Sequence, residues 1–300
     1  MKTGNTNSIE AIKNVTVLGA GTMGHGIAQV SAMAGFDVTL YDIAKEATEK
    51  GIAKIKSNLD KGVARAKVTA EQRDLTLANL EQNTDIESAC KNANVVIEAA
   101  PESLDLKTKI YSDLDRFTSP SCLLATNTSS LSIRKIAQTI KDPSRVIGMH
   151  FFNPVHIMKL CEVVVHDKNT EESIELAMSL TKALGKTAIR VKDAPGFASS
   201  RLGLVIGLEA MRMFESGVAS ANDIDTAMKL GYGHPMGPLE LTDLVGLDVR
   251  LSIANYLAKE IGPAFEPPEV LKEKVRRGLL GKKTGEGFFV WSDGKKQMES

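Results

Sequence analysis

The sequence predicts an α/β domain built on a parallel, helix-covered sheet, followed by an all-α domain, and three observations carry that reading. Short apolar runs alternate with helix-like segments through the N-terminal part of the chain, the pattern of a parallel sheet joined by crossover helices. A glycine-rich turn, Gly19-Ala20-Gly21-Thr22-Met23-Gly24, directly follows the first of those runs. After Lys192-Asp193-Ala194-Pro195-Gly196 the strand-like runs stop and helical spacing takes over. The expected division is 1–193 and 194–300, since 300 residues exceed the usual size of one compact core.

Taken in order, strands are expected at Asn14–Leu18, Asp37–Tyr41, Asn94–Glu98, Cys122–Thr126, Arg145–Met149, Cys161–Val165 and Thr187–Val191. Between the second and third lies Ala44–Cys90, rich in Lys, Ala, Glu and Leu and longer than a simple crossover needs. It should hold two or more helices, as a projecting hairpin. In the second domain Phe197–Gly217 reads as a long helix, with Leu202, Val205, Ile206 and Ala210 at helical spacing. Ser220 is a fitting cap for Ala221–Leu230, and Gly237-Pro238 precedes a run Leu239–Ile261 with a break near Gly246. The tail Gly278–Gly287 reads as a loop, anchored by Phe288-Phe289-Val290-Trp291.

Composition removes several classes of function. Lys plus Arg and Asp plus Glu both number 37, so the chain lacks the basic excess that a nucleic-acid partner would need. Met1–Asn14 is polar and has no signal-peptide core, and no stretch has the length and apolarity of a membrane span; a soluble cytoplasmic protein with no membrane partner is expected. The three cysteines, Cys90, Cys122 and Cys161, form no CxxC pair, which argues against a disulfide framework or a metal site and for reduced, structural thiols.

The glycine turn has the context that makes such a pattern informative. It follows the apolar strand Val15-Thr16-Val17-Leu18 and opens a helix, Thr22–Ala34. In a Rossmann-type fingerprint Gly19 allows the tight turn, Gly21 lets a pyrophosphate approach the backbone, and Gly24 permits close helix–strand packing. The N–H groups at the helix start, including those of Thr22 and Met23, supply an anion site without a basic side chain. The second strand ends at Tyr41-Asp42. A carboxylate there accepts hydrogen bonds from the adenosine ribose and repels a 2′-phosphate, which favours NAD over NADP. Asp42 could also serve only as a helix cap, which would look the same in sequence.

Of the five histidines, His150 stands at the end of the predicted strand Arg145–Met149, ahead of Phe151-Phe152-Asn153-Pro154. His25 sits in the first helix, His156 and His166 flank a strand, and His234 lies between helices. The carboxyl edge of an open α/β sheet is where ligands bind, and an imidazole placed there can exchange a proton as hydride leaves a carbinol carbon. Glu162 interrupts the apolar strand Leu160-Cys161-Glu162-Val163-Val164-Val165, where an unpaired carboxylate would be costly. His150 is its natural partner, the carboxylate fixing the tautomer and stabilising the imidazolium; an Arg or Lys pair in the core is the alternative.

At this point the sequence resembles the L-3-hydroxyacyl-CoA dehydrogenase family, in particular its short, monofunctional bacterial 3-hydroxybutyryl-CoA branch. The likeness runs almost end to end, through Gly19–Gly24, Ile97–Glu102, Asn127–Leu131, His150–Pro154, Lys159–Val163, Asp193–Phe197, Asp223–Met228, His234–Leu239 and Lys282–Phe288. It implies NAD as cofactor and a CoA thioester as substrate, with His150 as general base oriented by Glu162. It further implies that Ser129 holds the substrate oxygen beside the nicotinamide, and that Glu102, Lys107, Asn153 and Lys283 approach the dinucleotide. A homodimer formed through the helical domain is also implied. One departure stands out: where many relatives read PGFxxNR, this chain reads Pro195-Gly196-Phe197-Ala198-Ser199-Ser200-Arg201. Ser200 thus replaces the amide that helps hold the substrate oxygen, and its hydroxyl can donate one hydrogen bond, directly or through water.

Lys54, Asn58 and Lys61 recur about one turn apart in the predicted hairpin and suit the phosphates of CoA, although a solvated charged face would read the same way. The expected reaction is reversible oxidation of a (3S)-3-hydroxyacyl-CoA to the 3-oxoacyl-CoA. Two other readings compete with it: a dehydrogenase of a non-CoA hydroxy acid or sugar acid, and a dinucleotide-binding protein without catalysis.

Overall fold

The computed structural model describes residues 9–297; most of the polar start, Met1–Ser8, lies outside them. The described residues form two compact units divided between Ala194 and Pro195. The first unit holds an eight-stranded sheet in the order β3-β2-β1-β4-β5-β6-β7-β8. Its strands are β1 (Asn14–Leu18), β2 (Asp37–Tyr41), β3 (Leu80–Asn83), β4 (Val95–Glu98), β5 (Leu123–Thr126), β6 (Val146–Phe151), β7 (Leu160–Val165) and β8 (Thr187–Lys192). Helices α1 (Gly24–Met33), α2 (Lys45–Ala64), α3 (Ala70–Ala78), α4 (Ile86–Cys90), α5 (Leu104–Phe117), α6 (Ile133–Ala137) and α7 (Glu171–Ala183) connect them. Central strands β4, β5 and β6 are buried along their whole length, as strands covered on both faces must be. The core joins Val15, Val17, Ile27, Leu40, Ile97, Ala125, Ile147 and Val163.

Two features of the sheet depart from the sequence reading. Leu80–Asn83, expected to be part of a helical insertion, is a strand pairing in parallel with β2. Its residues, Leu-Glu-Gln-Asn, carry no apolar alternation because the strand lies at the sheet edge, where ladder hydrogen bonds rather than burial hold it. The second departure is direction: β6 and β7 are antiparallel, because the eight residues 152–159 between them cannot hold the crossover that a parallel neighbour requires. The insertion before β3 is a helical hairpin, yet it does not simply project. Helix α2 buries Thr48, Gly51, Ile55 and Leu59, and both α2 and α3 pack on α1.

The second unit is helical: α8 (Ser199–Glu215), α9 (Ala221–Thr226) running into a π-helical turn (Ala227–Gly231), α10 (Pro238–Val245), α11 (Leu247–Glu260) and α12 (Glu269–Arg276). A small antiparallel pair, β9 (Trp291–Ser292) and β10 (Lys295–Lys296), qualifies the all-α expectation. Ser220 caps α9 by accepting from the Asp223 N–H. The break foreseen near Gly246 is complete: its φ of +103° separates α10 from α11 in a region that favours glycine. The core of this unit gathers Leu204, Leu208, Met211, Leu239, Leu247, Leu257, Leu271 and Phe288. Among the described residues no helix is long and apolar enough to cross a membrane, and no cluster of His, Cys, Asp and Glu could hold a metal ion.

Candidate active site

The turn after β1 is shaped by contacts only glycine tolerates. Gly19 has φ +95°, and a Cβ there would lie 2.8 Å from the Ala99 carbonyl oxygen at the end of β4. A Cβ on Gly24 would lie 1.6 Å from the Gly19 carbonyl oxygen, so helix and turn can pack this closely only without a side chain. Gly21 has nothing within 4 Å of a would-be Cβ; this is the open side of the turn. Helix α1 has no side-chain cap, which suits an anionic ligand at its N-terminus. Asp42, at the tip of β2, accepts from the Ala20 N–H at 2.9 Å and the Ala44 N–H at 3.3 Å. It is not the cap of α2, whose N-cap is Ala44; instead it ties the glycine turn to the end of β2. An open backbone cradle, an uncapped helix start and a carboxylate at the second strand's end fit a dinucleotide without a 2′-phosphate.

Beside the turn, Ala20, Thr22 and His25 line a depression of about 480 Å³ together with Lys50, Gly51, Ala53 and Lys54 of α2. Lys54 and Lys61 are exposed. The Asn58 side-chain amide, half-buried, donates instead to Gln29 Oε1 at 3.2 Å. Lys50 was not singled out by the sequence, although it stands one turn before Lys54 on the same face.

The carboxyl ends of β4 and β5 carry a buried polar network. Lys107, 1 % exposed, donates to Glu98 Oε1 at 2.5 Å and to the Ala100 carbonyl at 3.3 Å. Glu98 also accepts from the Ala100 N–H and the Thr126 hydroxyl. Lys107 braces the loop 99–102, and its ammonium lies 3.8 Å from Glu102 Oε2. Glu102 Oε1 accepts from the Thr128 hydroxyl at 2.6 Å, the Ser129 N–H at 3.0 Å and the Ser129 hydroxyl at 3.2 Å. The Ser130 N–H and hydroxyl add bonds at 3.2 Å each. Burial pushes the Glu102 carboxyl up, but these donors and the Lys107 charge outweigh it and hold the group below its ordinary value. Glu102 thus organises the loop that carries Ser129.

His150 lies inside β6, one strand position beyond where the sequence placed the strand's end, and stands directly opposite Glu162 of β7 in the antiparallel register. The contact follows: His150 Nδ1 is 2.7 Å from Glu162 Oε2, with the residues 7 % and 0 % exposed. The Phe152 ring lies against the imidazole, 4.6 Å between centroids. The Asn127 side chain accepts from the Phe151 N–H at 2.9 Å, fixing the strand end beside the Ser129 loop. Lys186 closes the far side by donating to the Val155 and Met158 carbonyls. Neither Asn127 nor Lys186 was given a role from the sequence; each acts on backbone far away in the chain. Asn153 is exposed in the same loop. His166 is a structural histidine, its Nε2 against the Val146 carbonyl and its Nδ1 accepting from the Lys168 N–H. Burial pushes all three cysteine thiols up to about 12, so none is a thiolate nucleophile.

Two expected site residues belong to the second unit. Ser200 stands on the first turn of α8, half-buried. Lys283 is engaged by Asp248, with Nζ at 2.5 and 2.7 Å from its two carboxylate oxygens.

Open α/β sheets bind ligands where the strand order reverses. In the first unit that crevice, between β1 and β4, is flanked by the glycine turn and by the Glu98–Glu102 loop, which defines a dinucleotide-binding protein of the Rossmann class. The sequence pattern of the NAD binding domain of 3-hydroxyacyl-CoA dehydrogenase matches residues 14–194, and that of its C-terminal domain matches residues 196–291. The chain belongs to the 3-hydroxyacyl-CoA dehydrogenase family of NAD-dependent oxidoreductases. It is 43 % identical over 283 residues to a probable 3-hydroxybutyryl-CoA dehydrogenase of Bacillus subtilis, covering 94 % of this chain and 98 % of the relative. A 3-hydroxybutyryl-CoA dehydrogenase of Mycobacterium tuberculosis is 42 % identical over 289 residues, with 94 % and 99 % covered. The crystal structure of (S)-3-hydroxybutyryl-CoA dehydrogenase from Ralstonia eutropha superposes with a TM-score of 0.91 at 40 % identity, over 94 % of this chain and all of that one.

Proposed function

We propose that the chain catalyses reversible oxidation of short (3S)-3-hydroxyacyl-CoA thioesters, 3-hydroxybutyryl-CoA foremost, to 3-oxoacyl-CoA. The observation that carries the chemistry is the His150–Glu162 pair on the carboxyl side of the sheet. Bound NAD supplies the hydride acceptor. Glu162 holds Nδ1 of His150 as the donor of their hydrogen bond, so the imidazole presents Nε2 as the base for the C3 hydroxyl proton. As that proton leaves oxygen, C3 gives up its hydride and the C–O bond becomes a carbonyl; Glu162 stabilises the imidazolium that results. In the reverse direction the same nitrogen returns the proton. Ser129, held by Glu102, positions the reacting oxygen. Lys54 and Lys61, exposed on α2, serve the CoA phosphates.

The chain acts as a homodimer in this reading. Leu202, Ile206, Leu241, Leu244, Val245 and Val249 of the second unit are all exposed, an apolar surface of the kind that marks a partner site. A monomer mass in solution would remove that part of the proposal. The reaction is tested by NADH consumption with acetoacetyl-CoA. His150→Ala should lower kcat by about a thousandfold while NADH still binds, as read by its fluorescence. Turnover of a free hydroxy acid with none of the CoA thioester would overturn the substrate, and full activity of His150→Ala would overturn the mechanism.

A further inference from the structure

His25, on the first turn of α1, is half-buried and takes no part in the reaction described above. Its Nδ1 lies 2.7 Å from the Gly21 carbonyl oxygen. A carbonyl only accepts, so Nδ1 carries the hydrogen in the neutral and the charged ring alike. Nε2 has no partner among the described residues. In the neutral ring Nε2 is a bare acceptor; protonation makes it a charged donor with no change of tautomer or ring position.

The ring lines the depression of about 480 Å³ shared by the glycine turn and α2, together with Thr22, Lys50 and Lys54. Lys50 and Lys54 stand one turn apart, and neither forms an ion pair or hydrogen bond among the described residues, whereas Lys45 of the same helix pairs with Glu49 at 3.6 Å. One turn further along both helices the Asn58 amide donates to Gln29 Oε1, which ties α2 to α1 and bounds the space. Among the described residues no carboxylate lines it. Asp42, which meets the turn at Ala20, is taken up by the Ala20 and Ala44 N–H groups. From the link 152–159, His156 bears on His25 electrostatically; burial first, then the charges of His25 and Lys186, hold the His156 imidazole below its ordinary value, so it brings no charge of its own at neutral pH. Two lysines and a protonatable ring with no counter-charge make a site for an anion. Gly21, whose open side suits the pyrophosphate of a dinucleotide, is not among the lining residues, and neither is Asp42.

We propose that His25, with Lys50 and Lys54, binds a phosphate of the CoA moiety, and that the imidazole does so as its cation, so that CoA is held more tightly in acid than in alkali. This rests on the reading above, in which the substrate is a CoA thioester. On binding, Nε2 takes a proton from the buffer and donates it in a hydrogen bond to a phosphate oxygen; no bond of the ligand is made or broken. The phosphate charge favours the imidazolium. As the pH rises through the range in which an imidazole loses its proton, Nε2 presents its lone pair to the phosphate oxygen and the attraction becomes repulsion.

The test is calorimetric titration of the purified chain, with NAD present, by CoA itself between about pH 5.5 and 8.5. CoA has no C3 oxygen, so His150 stays out of the readout. The ionisation of the ligand's own phosphate is common to every protein compared, and His25→Gln, which keeps a donor amide but does not titrate, removes it from the difference. From the acid to the alkaline limit, wild-type affinity should fall relative to His25→Gln by about tenfold, the range of one hydrogen bond to a charged group. Lys50→Gln should weaken CoA by a similar factor at every pH, as loss of a fixed charge does. At about pH 7.5, where a phosphate monoester is already ionised, wild-type binding should take up protons, read from the dependence of its heat on the buffer. Proton release or no exchange there overturns the inference even if His25→Gln does not fold. A His25→Gln profile parallel to wild type, or a Lys50→Gln enzyme with wild-type CoA affinity, overturns it as well. So does a pH-dependent difference confined to NADH, which would give His25 to the dinucleotide. Turnover of acetoacetyl-CoA without the predicted slope sinks this inference alone, and the slope in a chain that turns over no thioester sinks the proposed reaction alone.

Discussion

Within the glycine turn, residues of one type meet different demands, and substitution separates them. Gly24→Ala would drive a methyl group into the Gly19 carbonyl, at 1.6 Å. Overpacking against backbone that cannot move should cost about 3 kcal/mol, seen as a lowered thermal midpoint together with lost NADH binding. Gly21→Ala meets nothing within 4 Å. Its stability should stay within about 0.5 kcal/mol of wild type, while NADH affinity falls because the new methyl group occupies the side from which a pyrophosphate approaches. A Gly21→Ala enzyme with unchanged NADH affinity would show that the cofactor lies elsewhere. The three glycines were legible as a set because strand, turn and helix are contiguous in sequence. That Gly24 packs on Gly19 itself was not legible, since it depends on how sharply the chain doubles back. His150 and Glu162 were legible as candidates from their surroundings in the chain; their facing register was not.

At the level of elements, the site is assembled from strand ends and the loops they launch. Glu102 follows β4, and the loop 128–130 that it holds follows β5. Its carboxyl is held below the ordinary value, so the stabilisation it provides is present at neutral pH, above the unfolded-state value. It is lost as the pH falls through the lower folded-state value. Glu102→Gln should therefore melt below wild type at neutral pH, and the gap between the two melting temperatures should close in acid. A gap that widened in acid would contradict the assigned sign. The element map also shows where local pattern fails. An edge strand such as β3 needs no apolar alternation, so its residues read as part of a helical stretch. The antiparallel turn of β7 left one usable sign, the short link 152–159, which cannot carry a crossover.

For the molecule as a whole, each unit keeps its own core and its own buried polar anchor. In the second unit that anchor is Asp243, which accepts from the Phe288 and Phe289 N–H groups and from Trp291 Nε1 at 2.8–2.9 Å. Two tail glycines are explained by it: a Cβ on Gly287 would lie 2.1 Å from Asp243 Oδ1, and one on Gly281 would lie 2.3 Å from its carbonyl oxygen. Asp243→Ala strands three donors and should destabilise this unit by about 3 kcal/mol or more. Trp291 is the only tryptophan of the chain, so its emission reports on this unit selectively: the variant should show a red-shifted maximum at lower temperature. An unchanged Trp291 transition would mean that the tail is held by Phe288 and Phe289 packing alone.

By itself the sequence determined the run from β1 through the glycine turn to α1, the position of most strands, the preference for NAD and the change to helices after Gly196, because each is written in neighbouring residues. The resemblance of its motifs determined the family. Tertiary structure alone decided the edge strand, the reversed β7, the Glu102 hub over Ser129 and the Asp243 anchor. All of these depend on which distant groups meet, and a carboxylate shows which donors it gathers only once those neighbours are in place.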